Sequence, residues 1–294
     1  MKMTTKHVFK ALMLCLAVAL SLMSCEQLEW DAEDADADDV PMTKVTLTAS
    51  LFSQIPFDEQ SRAVGSIDAV CSKLSFVVFD EEEKVKAVHQ VVGAESFGNV
   101  TIALAPGSYK VVVIAHNSAS TASVAADGRT TFADNLVTDT FYACKELEVG
   151  EDPVSQTIEV ERAVAMIRIV PTDALPESAK RLKFYYTGAS STFDPFTGFG
   201  CVNSRQTVYV DVVAGQDKYE LYTFPHAQVD NIDLAVTALG DNDKVVAERK
   251  FEDLEVTVGM ISQYKGTLFS ESLSDGGISI VADPEWKGVY DIEP

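Results

Sequence analysis

Positive charge is scarce in this sequence. It has 23 Lys and Arg against 45 Asp and Glu, for a formal net charge of −22 at pH 7. Phosphate neutralisation needs basic patches, so nucleic-acid binding is excluded, and so is adsorption to an anionic membrane surface. Long apolar runs are also scarce. One of twelve residues, 11–22 (ALMLCLAVALSL), occurs near the N-terminus, short of the about 20 residues a membrane-crossing helix takes. Histidine appears four times. G-x-S-x-G, H-E-x-x-H and phosphate-loop patterns are missing. With no acid, base and nucleophile set, the chain reads as a protein without catalytic activity. His89, His116 and His226 fall within or just after strand patterns and read as face, loop or capping residues. Cysteine is sparse too. Beyond Cys15 and Cys25 there are only Cys71, Cys144 and Cys201, widely spaced and without neighbouring His. They make a poor metal site. One disulfide or buried free thiols remain open. Asp241 and Asp243 in GDND lack the other ligands of a calcium loop. No metal or cofactor is expected.

What is present begins with an export signal. Lys2, Lys6, His7 and Lys10 precede the apolar run, which ends in Leu22-Met23-Ser24-Cys25. A basic region, an apolar core and a small residue before the cleavage point define a secretory signal over 1–24. The closing tetrapeptide resembles a lipobox, whose Cys thiol receives diacylglycerol. Cys25 is therefore the expected lipidation site. Each buried CH₂ contributes about 0.8 kcal/mol, so two or three acyl chains hold a protein on a membrane. Residues 26–40 (EQLEWDAEDADADDV) contain eight acids and no base. They cannot bury enough apolar surface to fold, so 25–42 reads as an acidic tether. An acidic stretch after a lipidated Cys also resembles the signals that send lipoproteins to the outer face of the outer membrane. A plain solvated linker is the other reading.

Short β-branched and aromatic runs fill the remainder. Strands are expected at 43–52, 73–79, 84–92, 99–104, 109–115, 141–149 and 155–160, then from Arg162 at 182–187, 207–213, 218–224, 232–239, 244–251, 264–269 and 278–282. Turn residues such as Pro106-Gly107 separate them, a spacing that points to an all-β sandwich. Residues 116–139 read as a long surface connection with a short helix near 132–136, and 176–181 as a helical turn. LSFVVFDEEEKVKAVHQVV and IDLAVTALGDNDKVVAERKF share a strand, acidic turn, strand pattern. That loose repeat is consistent with two similar sandwich domains, over 43–161 and 162–294. The aromatic segment 184–200 (FYYTGASSTFDPFTGFG) reads as core and turn packing. A sugar-stacking loop using Tyr185, Tyr186 or Phe196 is the alternative.

Several stretches occur in an order that resembles the fimbrillin-associated anchor family of type V pili. They are the lipobox Cys25, TKVTLTASLF, Ser61-Arg62-Ala63, LSFVVFDEEEKV, LAPGSYKVVVIAHN, ERAVAMIRI, VGMISQYKGTLF and ISIVADPEW. The resemblance implies two transthyretin-like β-sandwich domains in tandem. It implies a cell-surface fimbrial subunit, anchored in the outer membrane by its lipid, whose partners are other pilus subunits joined by donor-strand contacts. In stalk and tip members of such families a trypsin-like protease cuts after an Arg near the end of the first strand, and a strand from the next subunit fills the vacated groove. Arg62, with Ala63 following it, would be that site here. Anchor members keep their lipid and end the fibre at the membrane. A surface lipoprotein binding glycan or host ligand through sandwich loops is the alternative.

Overall fold

A computed structural model describes residues 41–51, 67–81, 83–269 and 279–282, the last stretch by its backbone alone. In chain order the strands are β1 (Thr43–Leu51), β2 (Lys73–Phe79), β3 (Lys84–Val91), β4 (Asn99–Leu104), β5 (Gly107–His116), β6 (Ser123–Val124), β7 (Thr130–Thr131), β8 (Thr140–Val149), β9 (Val154–Arg162) and β10 (Ala165–Pro171). There follow β11 (Arg181–Thr187), β12 (Phe193–Asp194), β13 (Phe199–Gly200), β14 (Gln206–Asp211), β15 (Tyr219–Thr223), β16 (Val229–Leu239), β17 (Val245–Thr257), β18 (Ile261–Gly266) and β19 (Ser279–Ala282). The protein is all-β, as its alternating pattern demands. No helix among the described residues is long and apolar enough to cross a membrane.

In the N-terminal half, β3-β2-β5-β8 form one layer and β9-β1-β4 the other. β9 passes between the layers, pairing with β1 from Val154 to Val160 and with β8 at Glu161 and Arg162. Val45, Leu47 and Ala49 of β1 meet Leu74, Phe76 and Val78 of β2 and Val111, Val113 and Ala115 of β5 in a dry core. β2 and β5 are near-continuous apolar runs, the signature of strands covered on both faces. Their alternate residues Val77, Phe79, Val112 and Ile114 face a second cluster. Phe132, Val137, Phe193 and Phe224 complete that cluster, so residues from both halves cover the outer face of this layer.

The C-terminal half repeats the pairing of the first. β1 pairs antiparallel with β4 and parallel with β9; β10 pairs antiparallel with β15 and parallel with β18. The order β3-β2-β5-β8 reappears as β14-β11-β16-β17. Ile167, Phe184, Tyr186, Leu221, Leu234 and Val236 fill its separate core. The two stretches that looked alike in the sequence are β2–β3 and β16–β17, which occupy non-equivalent places in this repeat. A hairpin with an acidic turn is a local pattern and carries no information about which strand it joins.

Two further expectations are corrected. Residues 116–139 are more than a surface connection: they form β6, β7 and a 3₁₀ turn (Ala133–Asn135), and they bury Ala122, Val124, Phe132 and Val137. Residues 176–181 hold a single turn, Ala179 N–H to Pro176 C=O at 2.8 Å, and no helix. β7 pairs with β12 through Thr130 and Phe193, so a four-stranded ribbon, β13-β12-β7-β6, ties the halves together.

Phe76 and Phe184 each sit fully buried, one in each core. Truncation to Ala should cost about 3–5 kcal/mol at either site, read as a lowered denaturant midpoint. A change below about 1 kcal/mol would mean that core is looser than its packing indicates.

Candidate functional site

Cys25, Arg62 and Ala63 lie outside the described residues. The structure does place the two ends of the segment that carries Arg62. Leu51 closes β1, and the chain resumes at Ile67, which opens a 3₁₀ turn (Ile67–Ala69) packed in the N-terminal core.

β1 is an inner strand. It pairs with β4 from Thr43↔Leu104 to Thr48↔Asn99 and with β9 from Val45↔Val154 to Leu51↔Val160. Val45 and Leu47 have no exposed surface. Thr46 and Thr48 face solvent-side partners, Thr101 at 3.3 Å and Asn99 at 2.8 Å. Taking β1 away would leave facing rows of unpaired N–H and C=O on β4 and β9, with the apolar core open between them. Such a slot accepts an extended chain through backbone hydrogen bonds and alternate side chains. Paired on both sides, β1 is the central strand of the β9-β1-β4 layer and not an edge strand.

The aromatic segment is used for packing. Phe184 and Tyr186 are core residues, and the Tyr186 hydroxyl donates to Tyr222 C=O at 2.9 Å. Tyr185 is half-buried. Phe193 stands edge-on to Tyr142 at 4.8 Å and tilted on Phe224 at 5.0 Å, and Phe224 stacks on Phe132 at 5.6 Å. Phe196, 41% exposed, lies edge-on to Phe79 at 5.2 Å with the Lys110 ammonium 5.6 Å from its centroid. Gly198 turns this hairpin with φ of +81°, and a Cβ there would collide with the Tyr142 hydroxyl. The β12–β13 hairpin is thus pressed onto β8, and Phe196 is the one aromatic of the segment with an open surface.

The remaining candidates are structural. Cys71 is buried, donates to Ile67 C=O at 3.2 Å, and burial pushes its thiol up to about 12. Cys144 is half-buried and Cys201 exposed, and all three are free thiols. His226 sits 2.9 Å from the Asp230 carboxylate. His89 contacts the Ser75 hydroxyl at 2.8 Å, and desolvation lowers its proton affinity. Asp243, in the turn between β16 and β17, pairs with Arg181 of β11 at 2.7 Å. Among the described residues no group of His, Cys, Asp and Glu could hold a metal ion.

Residues 54–267 match the profile of the family described as fimbrillin-A associated anchor proteins Mfa1 and Mfa2. No curated protein matches the chain. Among solved structures, a Bacteroides thetaiotaomicron protein carrying the provisional name polysaccharide-binding protein superposes with a TM-score of 0.52 at 12% identity, over 85% of this chain and 98% of that one. A Bacteroides eggerthii protein provisionally named a cell adhesion protein gives 0.51 at 11% identity, over 84% and 97%. The tip fimbrial protein Mfa3 of Porphyromonas gingivalis, truncated at its C-terminus, gives 0.43 at 11% identity, over 83% and 99%. At these identities the first two likenesses speak for a shared fold.

His116 ends β5 beneath the ribbon, fully buried against Phe132 at 5.1 Å. Its Nδ1 lies 3.1 Å from the Ser118 N–H and its Nε2 3.2 Å from the Ala122 N–H. A neutral imidazole accepts one of these through its single unprotonated nitrogen, and a protonated one can accept neither. Burial, with Lys73 and His89 adding to it, lowers its pKa to about 4. The unfolded chain therefore takes up a proton first as pH falls, and stability present at pH 7 is lost between about pH 6.5 and pH 4. Between pH 7 and pH 5 this one group should remove about 2 kcal/mol. Urea midpoints of the native chain and His116→Gln at both pH values check it; equal losses in the two proteins would clear His116 of the effect.

Proposed function

The chain belongs to the fimbrillin-A associated anchor protein family, and from that premise we propose that it is the lipid-anchored base component of a surface fimbrium, assembled with other pilus subunits by β-strand addition. Membership supports a fimbrial role. Cys25, behind an intact signal pattern, supports retention at the outer membrane through lipid, with the acidic tether setting the folded part off the surface. The repeat of one seven-strand pairing scheme, each with its own core, supports two transthyretin-like sandwiches over 43–161 and 162–294.

One observation carries the strand-addition reading: β1 is paired on both sides and fills the N-terminal core. Arg62 follows it by eleven positions, so cleavage there would sever β1 from the rest of the chain. An anchor leaves that bond intact and keeps β1 as its own filler. The same geometry favours a second reading, a stalk or tip subunit processed between Arg62 and Ala63 and completed by a strand from its neighbour.

Intact-mass analysis of the protein from envelopes and from sheared fibres separates the two. A mature form beginning at triacylated or diacylated Cys25, held in the envelope and recovered with fibre bases, is expected. A fibre-borne form beginning at Ala63 would replace the anchor by a polymerising subunit. Lipidated protein that never accompanies fibres would refute both.

A further inference from the structure

The two halves share one pairing scheme and differ at one edge. In the C-terminal half, β19 lies antiparallel along β18, from Ser262↔Ala282 to Lys265↔Ser279. In the N-terminal half the equivalent of β18 is β9. Among the described residues, no strand pairs with β9 between Val154 and Val160 on the side away from β1. The β8–β9 hairpin is closed only at Phe141↔Arg162 and Tyr142↔Glu161 and opens from there toward its turn. At the closed end lies a groove of about 320 Å³ lined by Tyr142, Cys144, Lys145, Glu159, Phe196 and Thr197.

The geometry points to this open edge as a second strand-acceptor site, taking an extended segment of another pilus subunit antiparallel to β9. It deepens the assembly reading above and rests on it. The site differs from the slot that β1 occupies: among the described residues, no strand has to leave for another to enter. Three features define the occupant. β9 alternates Ile158 and Val160 toward the core with Ser155, Thr157 and Glu159 toward solvent, so the incoming strand needs period-two apolar residues on its inner face. Its end would meet the exposed Phe196 ring and the groove beneath it. Residues 145–159 carry five acids, Glu146, Glu148, Glu151, Asp152 and Glu159, against the single base Lys145, and all six are exposed. An incoming strand with Lys or Arg on its outer face is steered in and held by that field, while an acidic one is repelled. Edge strands left bare invite indiscriminate pairing; the acidic rim restricts which chains can add.

The test is photo-crosslinking in cells that make the full-length protein and its fimbriae. A benzophenone amino acid is placed at Thr157 on β9 and, as a control, at the exposed Thr207 on β14. One discrete product from position 157 is expected, joined to a different subunit within a segment that alternates apolar and basic residues, with none from position 207. Glu148→Lys with Glu159→Lys should cut its yield about tenfold, at an unchanged thermal midpoint. Protein that still sheds with fibres but gives no product at 157 would overturn the β9 site and leave the fimbrial role standing. A product joining two copies of this chain, or a yield indifferent to the charge reversals, would overturn the assigned occupant. A product at 157 in protein that never accompanies fibres would keep the acceptor edge and remove the fimbrial role.

Discussion

The parallel pairing of a first strand with a last one closes each half of this protein. β1 meets β9 and β10 meets β18, so neither core is sealed unless two strands from the ends of a long segment have met. A parallel pair cannot be made by a hairpin and needs a long connection; here the connection is the rest of the sandwich. Everything between depends on that contact: without it the β9-β1-β4 layer has no centre, and the apolar faces of β2 and β5 stand open. Under the proposed assembly by strand addition, the strand that seals the core is also the one that a cut after Arg62 would sever.

The seam between the halves has a different physical basis. It rests on three aromatic side chains: Phe132 beside β7, Phe193 on β12, and Phe224 just after β15. Two-residue strands have little stability of their own. They persist because Val124 of β6, Phe132 beside β7 and Phe193 of β12 are buried in the shared cluster, and because Thr130 pairs with Phe193 and joins the short strands of the two halves into one ribbon. Burial of three large rings at a junction favours a fixed arrangement over a flexible linker.

Much of this could be read from residues, and the rest was hidden for identifiable reasons. β1, β4 and β11 announce themselves by alternation, and their observed bounds lie within a residue or two of the expected ones. The doubly covered character of β2 and β5 was also visible in their unbroken Val, Ile and Phe runs. The ribbon strands were not, since two residues have no period. Nor was the true repeat, because equivalence between β2 and β11 lies in which neighbours they pair with, and pairing partners far apart leave no local signature. The aromatic segment reads as core and turn packing, and Tyr186, which the sugar-stacking alternative would expose, is core; the alternation Leu182, Phe184, Tyr186 places it there. That β9 has an open edge among the described residues is a property of the sheet order, and no run of residues encodes it.

The direction of β1 and β9 has a mechanical consequence. Tension drawn between Thr43 and Arg162 pulls these two parallel strands lengthwise past each other. All the hydrogen bonds from Val45↔Val154 to Leu51↔Val160 then bear load together, instead of parting one by one as they do when a hairpin is peeled open. Force applied ahead of Thr43 therefore enters the fold at a seam that is loaded in shear. The force that would pull the N-terminal half apart from that end has to break a whole register at once.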